Sequence, residues 1–530
     1  MKRIPGTAYA VLLCVLIGLA LAPGCSRSGD TAASSPGKKG GEAAHDYNVL
    51  LITLDTTRVD YLSCYDSSKG ELTPNIDAIA ADGVRFDFAI AQSSGTPMSH
   101  ASILTGLNPY QHGVRVISAA GGYKLKSGIP TLATILSEHG WNTAAFLSAF
   151  TVSEYYDFNR GFDTYDNGLT QSPESIVRED RGGRMRWEQD KHQRRSDTTI
   201  NQALTWLSTP RQKPFFLWIH LWDPHDRMIL PPEEFLEPFL KPGLTEEEVK
   251  RAIYAAEIQF VDLQIGRLMT MLKERGWYEK TLIAIVADHG QGLGQHNWWS
   301  HRLLYQEDIH VPMILRGPDW PRKRTVDELV RTIDIAPTVL ECLGIKAPLK
   351  PEGVSLLALM EGREIEPRMA YSDQIIEYDM VGIQIAEQRP KDNLSYCAMD
   401  RTWKLIYRYT YPEYSELFNV REDPHELKNV AAEHPEELRR LKQYLDECGG
   451  YVTAPFTELE LPDERILNSL EALGYAGGSG DDDPEESTAD KPAAAPPAAE
   501  SQPTTRPCSQ PTTQPVESES NAPKVEPIGP

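Results

Sequence analysis

The chain has 530 residues, with 53 Lys plus Arg set against 76 Asp plus Glu, for a formal charge of −23. Such a length accommodates one large α/β domain with a smaller one beside it. The charge argues against a nucleic-acid partner, which would require a basic face. The cysteines are scattered, with no Cys-x-x-Cys pair and no zinc-type spacing, and none lies between Cys64 and Cys342.

In chain order, the first element is a targeting segment. Lys2 and Arg3 precede the apolar run AVLLCVLIGLALA, and LAPGC ends at Cys25. A basic start, a short apolar core and small residues before the cut describe a secretory signal over 1–24 rather than a membrane span. A Cys directly after the small residues resembles a bacterial lipoprotein signal. The expectation is export to the cell envelope, in the periplasm or at the outer membrane or cell surface, with a membrane anchor through lipidation of Cys25. Plain secretion and an uncleaved anchor are the alternatives. Residues 25–45, rich in Ser, Gly, Ala and Lys, read as a flexible tether.

From residue 46 the texture changes. YNVLLITLD is a continuous apolar run ending in an acid, which predicts a buried parallel strand with Asp55 at its carboxyl edge. TPNIDAIAADG predicts a helix with Pro near its start and Gly at its end. The same alternation recurs in IPTLATILSEHG then NTAAFLSAF, in TINQALTWL then FFLWIHLW, and in a long helix near 246–275 followed by TLIAIVADHG. Strands alternating with helices predict a parallel sheet covered on both faces, with ligands bound beyond the strands' carboxyl ends. That domain spans 46–365. Shorter pieces over 366–475 (LSYCAMD, WKLIYRY, SELFNV, then HPEELRRLKQYLDE) predict a small antiparallel sheet with a packing helix, and 476–530, rich in Pro, Thr and acid, predicts a disordered tail.

Three predicted strand ends carry ligand-type residues: Asp55, the segment His220–His225, and Asp288-His289. Adjacent carboxylate and imidazole at one strand end make a metal pair, with Asp55 as a third ligand. Hard oxygen plus imidazole favours one divalent Mn or Zn, with Ca as a third candidate. In SSGTPMSHASILTGL a short helix opens near Thr96, setting a hydroxyl beside free backbone N–H groups and the positive end of a dipole. Thr96 is therefore a candidate nucleophile as well as a candidate cap. His225 follows Pro224 in a fixed turn and is a candidate to protonate a leaving group. His220 and Arg115 are candidate substrate contacts, the Trp298-Trp299 pair a candidate pocket wall, and Asp223 with neighbouring histidines a variant second metal site.

The motifs LITLDTTRVDYL, TPNIDAIAADGVRF, SHASILTGLNPYQHGVR, DPH, ADHGQGLGQH, LYQEDIHVPMIL, VRTIDIAPTVLECLGI and SELFNVREDPHELKNV, in that order, resemble the sulfatases of the alkaline phosphatase superfamily. The resemblance runs from about 47 to 475. It implies an alkaline-phosphatase-like α/β/α sandwich around a large mostly parallel sheet, a smaller C-terminal α+β subdomain, and a divalent metal that binds the nucleophile.

The departures from that pattern are specific. Sulfatases carry a Cys that is oxidised to formylglycine; here that position is Thr96, with Ser99 retained and His100 at the Arg position. No formylglycine is expected. The later catalytic Lys falls at His301. These changes resemble the superfamily's Thr-nucleophile branches, and that resemblance implies Thr96, Asp55, Asp288 and His289 around one metal, with His100, His225 and His301 in catalytic roles. The expected substrate is a sulfated or phosphorylated small molecule or glycan, hydrolysed at its ester. The alternatives are phosphoryl-group transfer and a non-catalytic, lipid-tethered anion-binding module.

Overall fold

In the computed structural model, the apolar run after Tyr47 is the centre of a large sheet. The structure describes residues 46–168, 193–225, 230–363 and 365–457, with short stretches at 176–179 and 185–188 and a few positions between 462 and 473. The targeting segment with Cys25, the tether and the tail from 476 lie outside the described residues. No helix among the described residues is long and apolar enough to cross a membrane.

The first eight strands are β1 (Asn48–Leu54), β2 (Val84–Ile90), β3 (Asn142–Leu147), β4 (Thr164–Asp166), β5 (Ile176–Glu179), β6 (Met185–Glu188), β7 (Phe215–Leu221) and β8 (Thr281–Ala287). They are followed by β9 (His310–Arg316), β10 (Arg324–Val326), β11 (Val330–Arg331), β12 (Ala370–Ile375), β13 (Leu394–Met399), β14 (Trp403–Arg408) and β15 (Glu416–Asn419). The large sheet has the order β10-β2-β9-β8-β1-β7-β3-β4, with β11 also on β2. β1 pairs in parallel with both β7 and β8, while β9 runs antiparallel to both its neighbours, so the sheet is mixed. β5 and β6 form a separate antiparallel pair.

β1, β7 and β8 are buried along their whole length. Strands covered on both faces leave no polar side to alternate, which is why these three read as unbroken apolar runs. The covering helices fall into two groups. Glu246–Glu274 packs on Pro74–Ala81 and Ser196–Ser208, whereas Thr96–Thr105 packs on Leu132–Glu138 and Ile335–Cys342. Glu246–Glu274 opens with a reciprocal capping box between Thr245 and Glu248, satisfying two N-terminal donors at once.

β12 to β15 form the antiparallel C-terminal sheet, with the helix Pro435–Cys448 against β13 and β14. Its apolar side chains Ile375, Leu394, Leu405, Leu417, Leu441 and Leu445 belong to the same buried cluster as the core of β1 and β8. Among the described residues, Cys64, Cys342, Cys397 and Cys448 are free thiols.

A buried ion pair joins the two sheets. Arg115 Nη2 donates to Asp373 Oδ2 at 2.7 Å and to the Gly450 carbonyl at 2.8 Å, and Tyr371 Oη donates to the same carboxylate at 2.8 Å. Burial raises the Asp373 carboxyl, and Arg115 works against that rise. Arg115, expected from the sequence to touch substrate, is occupied in fastening β12 to the main body. Arg115→Met should therefore cost about 3–5 kcal/mol of unfolding free energy by leaving a buried carboxylate without its partner. Denaturant titration should register that loss, with KM unchanged on any substrate the protein turns over.

Candidate functional site

The register of the central strands brings the site together. Leu54 lies opposite Leu221 of β7 and Ala287 of β8, so the next residues along each strand emerge side by side. The ladder continues one step past the strands: Asp55 N donates to Leu221 O at 2.9 Å and Asp288 N to Leu54 O at 3.3 Å. Asp55, Asp288 and His289 thus meet at one sheet edge, fully buried, with a ligand atom of each within 4.8 Å of the others. After Asp55 the chain turns sharply through Thr56, whose φ of 46° is left-handed. Tyr254, from the long helix, fixes this turn by donating its hydroxyl to Thr56 O at 2.6 Å and accepting from Arg58 N at 2.9 Å.

The helix Thr96–Thr105 supplies the fourth group. Gly95 is its N-cap, Thr96 and Pro97 form its first turn, and Gly106 closes it at φ 70°. Thr96 Oγ1 lies 3.3 Å from His289 Nε2 and hydrogen-bonds the Asp55 carboxyl. Ser99 Oγ donates to Asp288 O at 2.5 Å, tying the helix to the end of β8. Gly95 and not Thr96 holds the N-cap position, so of the two readings of Thr96 the cap is set aside.

Hydrogen bonds fix the state of each imidazole. His289 Nδ1 faces Gly290 O at 2.9 Å, and a carbonyl only accepts, so the proton sits on Nδ1 and the Nε2 lone pair faces Asp288 and Thr96. Burial lowers the His289 pKa to about 4, keeping it neutral. His100 Nδ1 faces Thr96 O at 2.8 Å, while its Nε2 is 3.0 Å from Thr53 Oγ1. Thr53 also accepts from the Trp218 indole at 3.0 Å, which leaves its own proton for His100 Nε2. Both His100 nitrogens are thereby engaged with protein, and the ring braces the helix Thr96–Thr105 against β1, where the sequence reading gave it a catalytic role. His220 Nε2 lies 3.0 Å from Asp55 Oδ2, and burial lowers its pKa to about 3. It orients Asp55; the expected substrate contact gives way to this bond because the pairing of β7 with β1 aims the ring inward.

These residues fit a divalent cation. Asp55 Oδ1 and Asp288 Oδ2 are buried with no hydrogen-bond donor among the described residues. Burial raises both carboxyls well above the ordinary range, Asp288 further through the charge of Asp55. Two such carboxylates beside an imidazole lone pair make an N/O ligand set of the kind that Mn, Zn or Ca accepts.

The remaining expectations divide. His301 stacks on His289 with ring centroids 4.7 Å apart, and half-buried His225 meets His301 edge-on at 4.9 Å, so three imidazoles lead outward from the carboxylates. His225 is held by stacking on Trp222 at 3.7 Å. Asp223 is in no group of metal-ligand type among the described residues: its carboxylate accepts from Ser196 N at 2.9 Å and Ser196 Oγ at 2.8 Å, at the start of the helix Ser196–Ser208. Trp298 donates its indole N–H to His301 O at 2.9 Å and packs in a buried cluster, and Trp299 lies beneath Lys250 and Arg251, so the pair is packing. The sequence reading passed over Thr53, Trp218 and Arg302. A Thr inside an apolar strand run was the available signal for Thr53; the other two carry none.

Residues 47–345, more than half of the 530-residue chain, match the Sulfatase family model. Residues 294–448 match the model for N-sulphoglucosamine sulphohydrolase, C-terminal. An N-acetylglucosamine-6-O-sulfatase of Bacteroides thetaiotaomicron is 24% identical over 505 aligned positions, spanning 76% of this chain and 86% of that protein. The solved phosphonate monoester hydrolase of Agrobacterium radiobacter superposes with a TM-score of 0.60 at 21% identity, over 76% of this chain and 95% of the other. A structure in complex with its substrate D-glucosamine-2-N,6-O-disulfate gives a TM-score of 0.60 at 22% identity, over 76% and 97%. At these identities the two structures establish likeness of fold.

Asp288→Asn separates the charge from the shape, since Oδ1 keeps its bonds from Thr56 N at 3.2 Å and His289 N at 2.7 Å. Elemental analysis should find stoichiometric metal in the parent and none in the variant. A carboxyl raised by folding holds a proton that the unfolded chain releases, so the pair's contribution to metal-free stability falls as pH rises above about 4. After chelation the variant should therefore melt no lower than the chelated parent, by a margin that widens with pH. Retained metal in Asp288→Asn would refute the ligand assignment.

Proposed function

This chain belongs to the sulfatase family, and on that premise we propose that it is a metal-assisted ester hydrolase with Thr96 as nucleophile, acting on a sulfate or phosphate-type ester. The observation that carries this reading is the position of the Thr96 hydroxyl, at a helix start, 3.3 Å from His289 Nε2 and bonded to Asp55. A divalent ion held by Asp55, Asp288 and His289, with Thr96 at its edge, would supply positive charge to the ester and lower the pKa of the hydroxyl.

The chain's own residues account for the rest. Asp55, held by His220, accepts the hydrogen bond of the Thr96 hydroxyl and is the base to which its proton passes. The first turn of Thr96–Thr105 offers its dipole to the charge that grows on the ester's non-bridging oxygens. His100 and Ser99 fasten that turn to Thr53 and to the end of β8, so the attacking oxygen is aimed before substrate arrives. His301 is pushed well below its ordinary pKa by burial and by His289, and is neutral in the free protein. An anionic ester beside it favours the protonated ring. His225 and His301 then serve as the proton source for the departing alcohol, and, neutral again, take the proton of the water that displaces the acid group from Thr96 and restores its hydroxyl.

The relatives support both ester types: sulfatases among the curated proteins and a phosphonate monoester hydrolase among the structures. The Bacteroides relative is named for the 6-O-sulfate of N-acetylglucosamine and the disulfate complex for a sulfated glucosamine, and a sulfated or phosphorylated sugar is the first class to assay here. The basic, apolar and small-residue pattern ending at Cys25 supports a lipid-anchored, exported enzyme. Cys25→Ala should move the full-length protein from the membrane pellet to the soluble fraction of bacterial cells.

The decisive kinetic test is at Thr96. Thr96→Ser keeps the hydroxyl and should retain measurable turnover. Thr96→Ala should lose about three orders of magnitude or more in kcat while still binding metal. The panel is aryl sulfate, phosphate monoester, phosphodiester and phosphonate, each run with Mn, Zn and Ca. Parental turnover by Thr96→Ala would assign the attack to a bound water, and no turnover of any ester would leave the binding-module reading.

A further inference from the structure

Behind the imidazole row lies a guanidinium that the mechanism above does not use. Arg302 is 1% exposed, and its φ of 75° is left-handed, uncommon for a residue with a long side chain. Two of its nitrogens are held by the C-terminal part of the chain. Nη2 donates to Asp379 Oδ2, and with the Gln374 amide turned so that its oxygen faces the guanidinium, Gln374 accepts from Nε at 2.9 Å and Nη2 at 3.0 Å. In that orientation Gln374 donates to Ser94 Oγ at 3.2 Å, two residues before Thr96. The third nitrogen, Nη1, is buried with no hydrogen-bond partner among the described residues.

We propose that Arg302 is a substrate-binding residue, whose Nη1 donates to a non-bridging oxygen of the ester's tetrahedral anionic head. This rests on the ester-hydrolase reading and names the group that grips the anion in it. Two observations carry the assignment. A buried guanidinium N–H left without an acceptor is costly, and an arriving oxyanion is the acceptor that suits it. Arg302 follows directly on His301, whose ring stacks on His289 at 4.7 Å, and its guanidinium is tied through Gln374 to Ser94, two residues before Thr96, so it lies beside the cluster. Fastening Asp379 does not by itself account for the arginine. That carboxylate already accepts from Ile117 N, Ser118 N and Val381 N, and a lysine would complete it.

The test is binding of inorganic sulfate and inorganic phosphate to the metal-loaded, full-length protein by isothermal titration, which needs no turnover. Arg302→Gln should weaken the better-bound anion by about 10- to 100-fold. Asp379→Asn, which loosens the same ion pair but leaves the guanidinium, should weaken it far less. Where ester turnover is found, Arg302→Gln should raise KM more than it lowers kcat, and Arg302→Lys should recover part of the loss. Should Arg302→Gln fail to fold, Arg302→Lys and Asp379→Asn carry the comparison: anion binding weakened in the first and kept in the second upholds the proposal. Parental binding by Arg302→Gln, equal loss in Arg302→Gln and Asp379→Asn, or no binding of either anion by the parent overturns it. Anion binding that depends on Arg302 in a protein that hydrolyses no ester would uphold this assignment while refuting the hydrolase reading.

Discussion

Two carboxylates are forced together, out of water, at the carboxyl ends of β1 and β8, and much of the site answers to that crowding. The parallel register permits no other placement, because Leu54 and Ala287 are partners and the next residue on each strand is an aspartate. Each of the pair raises the cost of the other's charge, and their free oxygens face no donor among the described residues. A fold that keeps such a pair forgoes stability there, as ligand sites do, and regains it when a cation arrives. The turn at Thr56, the grip of Tyr254 and the bond from His220 all hold the two carboxylates in place.

The imidazoles illustrate a second economy. His289 and His100 each meet a backbone carbonyl at Nδ1, which sets the proton on one nitrogen and a lone pair on the other. In His289 that lone pair is delivered to the ligand cluster; in His100 it is absorbed by Thr53. The same ring, with the same local bond, turns its lone pair to the carboxylates in one place and is a brace in the other. The difference lies in what the β1 strand offers to the far nitrogen.

Much of the architecture was legible because the central strands are buried on both faces and therefore spell themselves as continuous apolar runs. β1, β7 and β8 and the helices between them stand where the periodicity places them. Asp55, Asp288 and His289 converge as their strand-end positions implied, since parallel neighbours put their carboxyl ends on one edge. The failures share a cause, which is that sequence shows a residue type but not what it faces. Arg115 looked like a pocket cation, yet Asp373, 258 positions later in the chain, claims it. Asp223 looked like a ligand beside two histidines and caps a helix. β12, which supplies Asp373 and Gln374, lacked a pattern clear enough to be read. Arg302 was invisible for the same reason, since its partners come from that strand and the loop after it.

The place of β1 in the sheet also governs the order in which the protein can come into being. β1 is the first strand to leave the ribosome, but its neighbours β7 and β8 begin at Phe215 and Thr281. Until they emerge, a seven-residue strand made for burial on both faces has both backbone edges unpaired. The centre of the sheet therefore closes late, ahead only of the edge that β9, β10 and β11 build, and such non-local pairing folds slowly and exposes sticky intermediates. For a chain threaded unfolded across a membrane this order is an advantage, because a strand that cannot pair early cannot fold prematurely. Under the export proposed above, the two aspartates would meet only after translocation had brought both halves to the same side, and the cation proposed for the site would come from the compartment in which the enzyme works.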